Sequence, residues 1–205
     1  MTIALNVEKI ALIRAHRVLF RELSFTVAAG GLMCIEGPNG AGKTSLLRLI
    51  AGFLKPAAGN VRLLMDTGDV DDAEERGGYV GWLGHHDAVK PQMSVVEQLS
   101  FFARLYGGGG VPDEAMAAFG LTDLADLPGQ YLSAGQKRRL ALARLRLAGR
   151  PLWLLDEPLA ALDTAGKALV AGAIEAHRSS GGIVLAATHE PLGLACETLK
   201  LGRAA

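Results

Sequence analysis

The segment Gly37-Pro38-Asn39-Gly40-Ala41-Gly42-Lys43-Thr44 constrains this chain more than any other stretch. It fits the pattern G-x-x-x-x-G-K-[ST]. It lies between an apolar run, Leu32 to Glu36, and a stretch with helical spacing through Leu46, Leu47 and Ile50. The order is strand, glycine loop, helix. Glycines let several backbone N–H groups converge on one anion, and the helix N-terminus behind them adds unpaired donors and partial positive charge. The segment therefore predicts a phosphate-binding loop. Lys43 is expected to reach the outer phosphates of a nucleotide, and the Thr44 hydroxyl to bind Mg²⁺.

A second segment answers the first. Pro151-Leu152-Trp153-Leu154-Leu155-Asp156-Glu157-Pro158 reads as a buried strand ending in two carboxylates. Such a strand delivers Asp156 to the C-terminal edge of a parallel sheet, where α/β folds bind their ligands. Asp156 is expected to hold Mg²⁺ through its water shell. That leaves Glu157 to orient or deprotonate a water.

Between and around these segments, strands and helices alternate. Ile3 to Ile13 and Val18 to Val27 read as paired strands joined near Arg14 to Arg17, and Val61 to Met65 and Tyr79 to Leu83 as further strands. Asp66 to Glu75 reads as an acidic loop or short helix. Ser94 with Glu97 has capping-box spacing ahead of Val95, Val96, Leu99, Phe102 and Leu105. Gly107 to Gly110 interrupts the helices, and Asp113 to Phe119 resumes them. Gln130 to Gln136 reads as a loop with Ser133 a good N-cap, then Lys137 to Leu147 as a helix. Thr164 to Arg178 is a helix, and Ile183 to Thr188 is the last strong strand. The fold class is α/β: a mainly parallel sheet with helices on both faces, an N-terminal antiparallel β subdomain, and a helical subdomain over about 87–150. All of 1–205 is read as one domain.

Composition narrows the function. Lysine plus arginine and aspartate plus glutamate each total 21, so the formal charge is zero, which disfavours a bulk nucleic-acid binder. No apolar run approaches the roughly 18 residues of a membrane span. Met1 to Ile10 lacks the basic start and long apolar core of a signal peptide. Cys34 and Cys196 are far apart and show no metal spacing. Cys34, within Leu32 to Ile35, reads as a free thiol in the core of a protein from a reducing compartment.

Leu132-Ser133-Ala134-Gly135-Gln136 precedes the basic start Lys137-Arg138-Arg139, Asp163 follows Pro158 in Ala161-Leu162-Asp163, and Thr188-His189 ends the last strand. Together with the two segments above, in this order, the set resembles the ATP-binding-cassette (ABC) ATPases over nearly the whole chain. The resemblance implies a P-loop NTPase fold with ATP and Mg²⁺ as ligands. Gly37 to Thr44, with Ser45 behind it, is similar to the Walker A loop, and Leu152 to Asp156 to Walker B. Glu157 is similar to the catalytic glutamate and His189 to the switch histidine beside the γ-phosphate. Leu132 to Gln136 resembles the signature motif, whose Ser133, Gly135 and Gln136 would close over ATP held by a second subunit. Ala161 to Asp163 resembles the D-loop. The resemblance further implies a head-to-tail homodimer, separate integral membrane subunits docked on the helical subdomain, no direct nucleic acid, and a peripheral place on the cytoplasmic face of the bacterial inner membrane.

Departures from the family pattern are specific. His85, followed by His86, takes the place of the usual glutamine after Tyr79 to Leu83, and histidine titrates near neutrality. A metal- or haem-binding histidine pair is the alternative use, but neighbours on an extended chain point opposite ways. Ala134 stands where glycine is commoner, and Arg14, His16 and Arg17 stand where an aromatic usually stacks on adenine. Within the family, Trp82-Leu83-Gly84-His85, the run from Arg138 to Leu145, Leu152 to Pro158, Gly181 to Leu185 and Thr188 to Leu192 resemble the ATP-binding subunits of cytochrome c maturation haem exporters. The implied activity is ATP hydrolysis coupled to c-type cytochrome biogenesis, through haem export or release of a haem-loaded chaperone. The alternatives are the ATPase subunit of another ABC exporter and a soluble non-transport ABC ATPase. The latter usually carries a coiled-coil insertion or tandem cassettes, and a kinase or GTPase would not need the signature, D-loop and histidine together.

Overall fold

The computed structural model describes residues 3–14, 16–107 and 110–202. Met1, Thr2 and the middle of the Gly107 to Gly110 run lie outside the described residues.

Three strands, β1 (Ile3–Arg14), β2 (Arg17–Val27) and β4 (Ala58–Met65), form an antiparallel sheet in the order β2-β1-β4. Five others form a parallel sheet in the order β5-β6-β7-β3-β8: β3 (Leu32–Glu36), β5 (Val80–Leu83), β6 (Leu152–Asp156), β7 (Ile183–Ala187) and β8 (Glu197–Lys200). Parallel strands covered on both faces read as continuous apolar runs. Strands β3, β6 and β7 do so, and alternate residues enter different cores. Leu32, Cys34, Trp153, Leu155, Val184 and Ala186 join the core built with the helices that follow β5. Met33, Ile35, Leu152, Leu154, Ile183, Leu185 and Ala187 join the core shared with the antiparallel sheet and α1 (Lys43–Ile50).

The remaining helices are α2 (Ala73–Gly77), α3 (Val95–Leu105), α4 (Pro112–Ala118), α5 (Ala134–Leu147) and α6 (Thr164–Ser179). Helices α3, α4 and α5 pack on one another, and α5 also reaches α6 and the sheet. The expected capping box of α3 is present: the Glu97 N–H donates to Ser94 Oγ at 3.3 Å, and the Ser94 N–H to Glu97 Oε2 at 2.7 Å. Helix α5 starts at Ala134, not Lys137. Ser133 and Gln136 form a second capping box, so the end of the expected loop is already helical.

Two further expectations are corrected. Strand β8 has no counterpart in the sequence reading, because Glu197 to Lys200 is short and polar. It pairs with β3, placing Thr198 opposite Cys34, so Cys196 arrives beside that strand. Cys34 and Cys196 are therefore joined as a disulfide with Cα atoms 6.1 Å apart, and Cys34 is not a free thiol.

At the N-terminal edge of the parallel sheet the His177 ring stacks on Trp153, with centroids 4.0 Å apart and planes at 9°. Its Nε2 lies 3.2 Å from the Pro151 carbonyl. Burial pushes the imidazole below its ordinary value, outweighing the opposing effect of that hydrogen bond.

Candidate functional site

Parallel register brings the functional segments to one edge. Strand β3 ends at Glu36 just before the glycine loop, while β6 and β7 end together with Asp156 opposite Ala187, immediately before Glu157 and Thr188. This C-terminal edge is where the sequence places a ligand.

The loop conformation follows from its glycines. Gly37 has φ 152°, and a Cβ there would stand 2.4 Å from the Leu201 carbonyl oxygen, so only glycine fits. The loop delivers α1 with Gly42 as its N-cap and no side chain capping the first turn. Its leading N–H groups face the cleft with the partial positive charge of the helix end.

The cleft has a volume of about 460 Å³ and is lined by Asn39, Gly40, Gly42, Lys43, Thr44, Ser45, His85, Asp156, Glu157 and His189, with Arg14, Leu19 and Arg48. The Thr44 hydroxyl donates to the Asp156 carboxylate, 3.1 Å from Oδ1 and 3.0 Å from Oδ2, across 112 residues of sequence. Asp156 is buried. The Lys43 ammonium donates to the Gly37 carbonyl at 2.7 Å and lies 3.1 Å from His189 Nε2. His189 Nε2 also stands 3.5 Å from Glu157 Oε1, longer than an ordinary hydrogen bond. Its backbone N–H donates instead to Glu157 Oε2 at 3.3 Å. Glu157 itself has a left-handed backbone, φ 50°, which turns its half-buried carboxylate into the cleft.

Chemically, the cleft offers uncapped helix donors and a lysine for phosphate oxygens, a hydroxyl and a carboxylate for a hard cation, and a carboxylate beside them for a water. A threonine hydroxyl and a carboxylate within hydrogen-bond distance suit Mg²⁺, which takes one or two protein oxygens and keeps several waters. Among the described residues no group of three His, Cys, Asp or Glu stands close enough to hold a metal by protein ligands alone.

His85 lines the cleft, whereas His86 lines a neighbouring hollow with Asp87, Gly129 and Lys137. The two rings nevertheless meet edge-on with centroids 5.4 Å apart, contrary to the expectation of opposite directions, because the chain has left the strand by Gly84 and turns here. Arg14 and Leu19 also line the cleft, and no aromatic residue is among its described lining residues.

Ser133, Gly135, Gln136 and Asp163 do not line the cleft. Ser133 and Asp163 are exposed at the N-termini of α5 and α6, where each caps its own helix: Ser133 Oγ accepts from the Gln136 N–H at 3.2 Å, and Asp163 Oδ1 from the Gly166 N–H at 2.7 Å. Gly135 fixes the two loops together, since a Cβ there would lie 2.8 Å from the Ala161 carbonyl oxygen.

Sequence reasoning missed Arg138. It read Lys137 to Arg139 as positive charge gathered beside the signature loop, but the Arg138 side chain turns inward and is 3% exposed. The one available signal was its place one turn into a helix whose neighbours, Leu140 to Ala143, are all buried.

Residues 20–160 match the ABC transporter family. The chain is 48% identical over 196 residues to the cytochrome c biogenesis ATP-binding export protein CcmA of Rhodopseudomonas palustris strain HaA2, covering 94% of this chain and 95% of that protein. It is 49% identical over 195 residues to the CcmA of Nitrobacter winogradskyi, again covering 94% and 95%. Among solved structures, a chain from Pyrococcus furiosus assigned as an ABC transporter ATP-binding protein superposes with a TM-score of 0.82 at 26% identity, covering 97% of each chain. An ATP-binding cassette solved as a dimer with ADP and phosphate superposes with a TM-score of 0.76 at 20% identity, a likeness of fold. With its fold, its glycine loop and its relatives in agreement, the chain belongs to the ABC transporter ATP-binding family, and within it to the cytochrome c biogenesis ATP-binding export proteins.

Proposed function

We propose that this protein hydrolyses ATP as the soluble half of an export complex serving c-type cytochrome biogenesis, acting as a head-to-tail homodimer on separate membrane subunits. The observation that carries the hydrolytic reading is the Thr44–Asp156 contact at 3.0–3.1 Å, with Lys43, Glu157 and His189 around the same cleft. The phosphates of ATP lie along Gly37 to Ser45, where Lys43 neutralises the outer oxygens. Thr44 and Asp156 would hold Mg²⁺, which would draw charge off the phosphates. Glu157 orients a water and takes its proton as the oxygen attacks the γ-phosphorus. The bond from that phosphorus to the bridging oxygen breaks, and ADP and phosphate leave. His189 lies beside the γ-phosphate, and His85 stands where it can respond to the water or metal.

The exposed Ser133 and Asp163, with the half-buried Gly135 and Gln136, complete the site of a second copy, so each chain supplies half of two sites. The whole chain acts as one ATPase domain, with 87–150 as the lobe that meets the membrane subunits. No helix among the described residues is long and apolar enough to cross a membrane, which suits a peripheral subunit at the inner face of the bacterial inner membrane. The cargo assignment rests on the relatives' names. Deleting the protein is expected to abolish covalent haem attachment to c-type cytochromes; normal cytochrome c in the deletion strain would refute it. Co-purification with membrane proteins, not nucleic acid, separates this reading from a soluble non-transport ATPase.

A further inference from the structure

Arg138 is buried near the start of α5, and among the described residues its side-chain hydrogen bonds go to two segments that border the cleft. Nη2 donates to the carbonyls of Asp156 and Glu157, both at 2.6 Å, and Nε to that of Pro158 at 3.4 Å. Nη1 donates to the Gly84 carbonyl and to Asp87 Oδ1, both at 2.8 Å. One planar guanidinium thus spans the peptides on either side of Glu157 and both ends of the segment that carries His85. From the same helix, Arg144 donates to the carbonyls of Asp87 and Ala88. The 84–88 segment is therefore tied to α5 by two arginines.

Burial alone does not mark a role in chemistry. Arg76 is equally buried and also binds carbonyls, those of Ile50, Val61 and Asp71, but none belongs to the cleft. Arg138 differs in what it grips. Glu157 holds a left-handed backbone, unfavourable for a residue with a Cβ, and such a conformation persists only where its surroundings fix it. The Arg138 fork fixes the carbonyl of that residue and the one before it. No donor other than a guanidinium reaches four carbonyls and a carboxylate from one plane.

We propose that Arg138 is a positioning residue for the Glu157 carboxylate, coupling its placement to the 84–87 segment, so that displacing either element slows hydrolysis without weakening ATP binding. This rests on the reading of Glu157 as the group that handles the attacking water.

The test compares the purified full chain with Arg138→Lys, Arg138→Gln and Asp87→Asn, measuring ATP affinity by calorimetry and kcat and KM by phosphate release. Arg138→Lys and Arg138→Gln are expected to lower kcat by about 10- to 100-fold, the usual effect of misplacing a reacting group by about 1 Å. KM and ATP affinity should stay within about twofold, because the interaction acts after binding. In a Glu157→Gln background, Arg138→Lys should lower residual turnover no further, as for two residues acting as one unit. A purely structural role would give losses that add. If neither Arg138 variant folds, Asp87→Asn decides: it keeps the guanidinium and removes its one charged partner, and kcat should fall about threefold at unchanged KM. Full kcat in a folded Arg138 variant, or in Asp87→Asn where neither Arg138 variant folds, overturns the proposal, as does an additive loss in the Glu157→Gln background. Normal turnover by Glu157→Gln itself overturns the hydrolytic reading, whereas an inactive Glu157→Gln beside a fully active Arg138→Lys overturns the positioning role alone.

Discussion

Helices α1, α5 and α6 all begin at loops that carry sequence motifs, yet their first turns are built in opposite ways. Helix α1 starts behind Gly42 with no side chain on its leading N–H groups. Helices α5 and α6 start behind Ser133 and Asp163, each of which already accepts from its own helix. An uncapped N-terminus is ready for an anion, whereas a capped one is a finished piece of structure that holds its loop in shape. The Ser133 hydroxyl nevertheless keeps its proton to donate, because in the cap its oxygen only accepts. The cleft is therefore assembled within one chain, while Ser133 and Asp163 stand exposed outside it at capped helix starts.

This contrast can be broken by experiment. The largest effect is expected at Glu157: Glu157→Gln should keep ATP binding and lose about 10²- to 10⁴-fold in turnover, the range for a residue that orients or deprotonates the nucleophile. Near-normal hydrolysis would remove Glu157 from the chemistry. Next, Lys43→Ala should weaken ATP binding by about 10- to 100-fold, the worth of a charge-assisted hydrogen bond to phosphate, and calorimetry on dilute protein reads this directly. Unchanged affinity would take the cleft away from the glycine loop.

Ser133→Ala sharpens the other side. A lone chain should bind ATP as before, while turnover under dimer-forming conditions falls and the helix loses about 1 kcal/mol of capping. A matching loss of ATP affinity in dilute protein would place Ser133 in the cleft of its own chain, against the geometry. The smallest effect belongs to neither face. His177 has its imidazole held below 6.5, so the unfolded chain takes up the proton first as pH falls. Its contribution to stability is complete above about 6.5 and declines as pH drops through that value toward the folded pKa. A Tm profile flattened there by His177→Gln, with ATP affinity unmoved, is the expected result. An identical profile in the variant would assign the pH dependence elsewhere.

What could be read from the residues was local. Gly37 to Thr44, Leu152 to Glu157 and the Ser133 cap each carry their geometry within a few residues, and each stands where spacing puts it. What could not be read depended on distant partners. β8 is four polar-edged residues that become a strand only because β3 offers an unpaired edge, and the Cys34–Cys196 bond follows from that pairing. Arg138 looked like surface charge because its partners are backbone carbonyls, which no side-chain pattern reveals. The meeting of the His85 and His86 rings likewise reflects a turn that the sequence leaves open.

The strand order also sets a timetable for synthesis. The antiparallel sheet can pair its strands once residue 65 has emerged, since β1, β2 and β4 hydrogen-bond only to one another, though its buried face is finished by later strands. Strand β3, which carries the glycine loop, is made early but sits between β7 and β8, whose residues, 183–187 and 197–200, come some 150 positions later. A nascent chain therefore holds its phosphate loop on an unpaired apolar strand for most of its translation. Long-range parallel pairing of this kind is slow to form and exposed to aggregation until it closes. Chains halted before residue 183 should protect the first sheet from proteolysis and leave β3 open to cleavage. The ability to hold nucleotide should then appear late and abruptly as the ribosome passes β7 and β8.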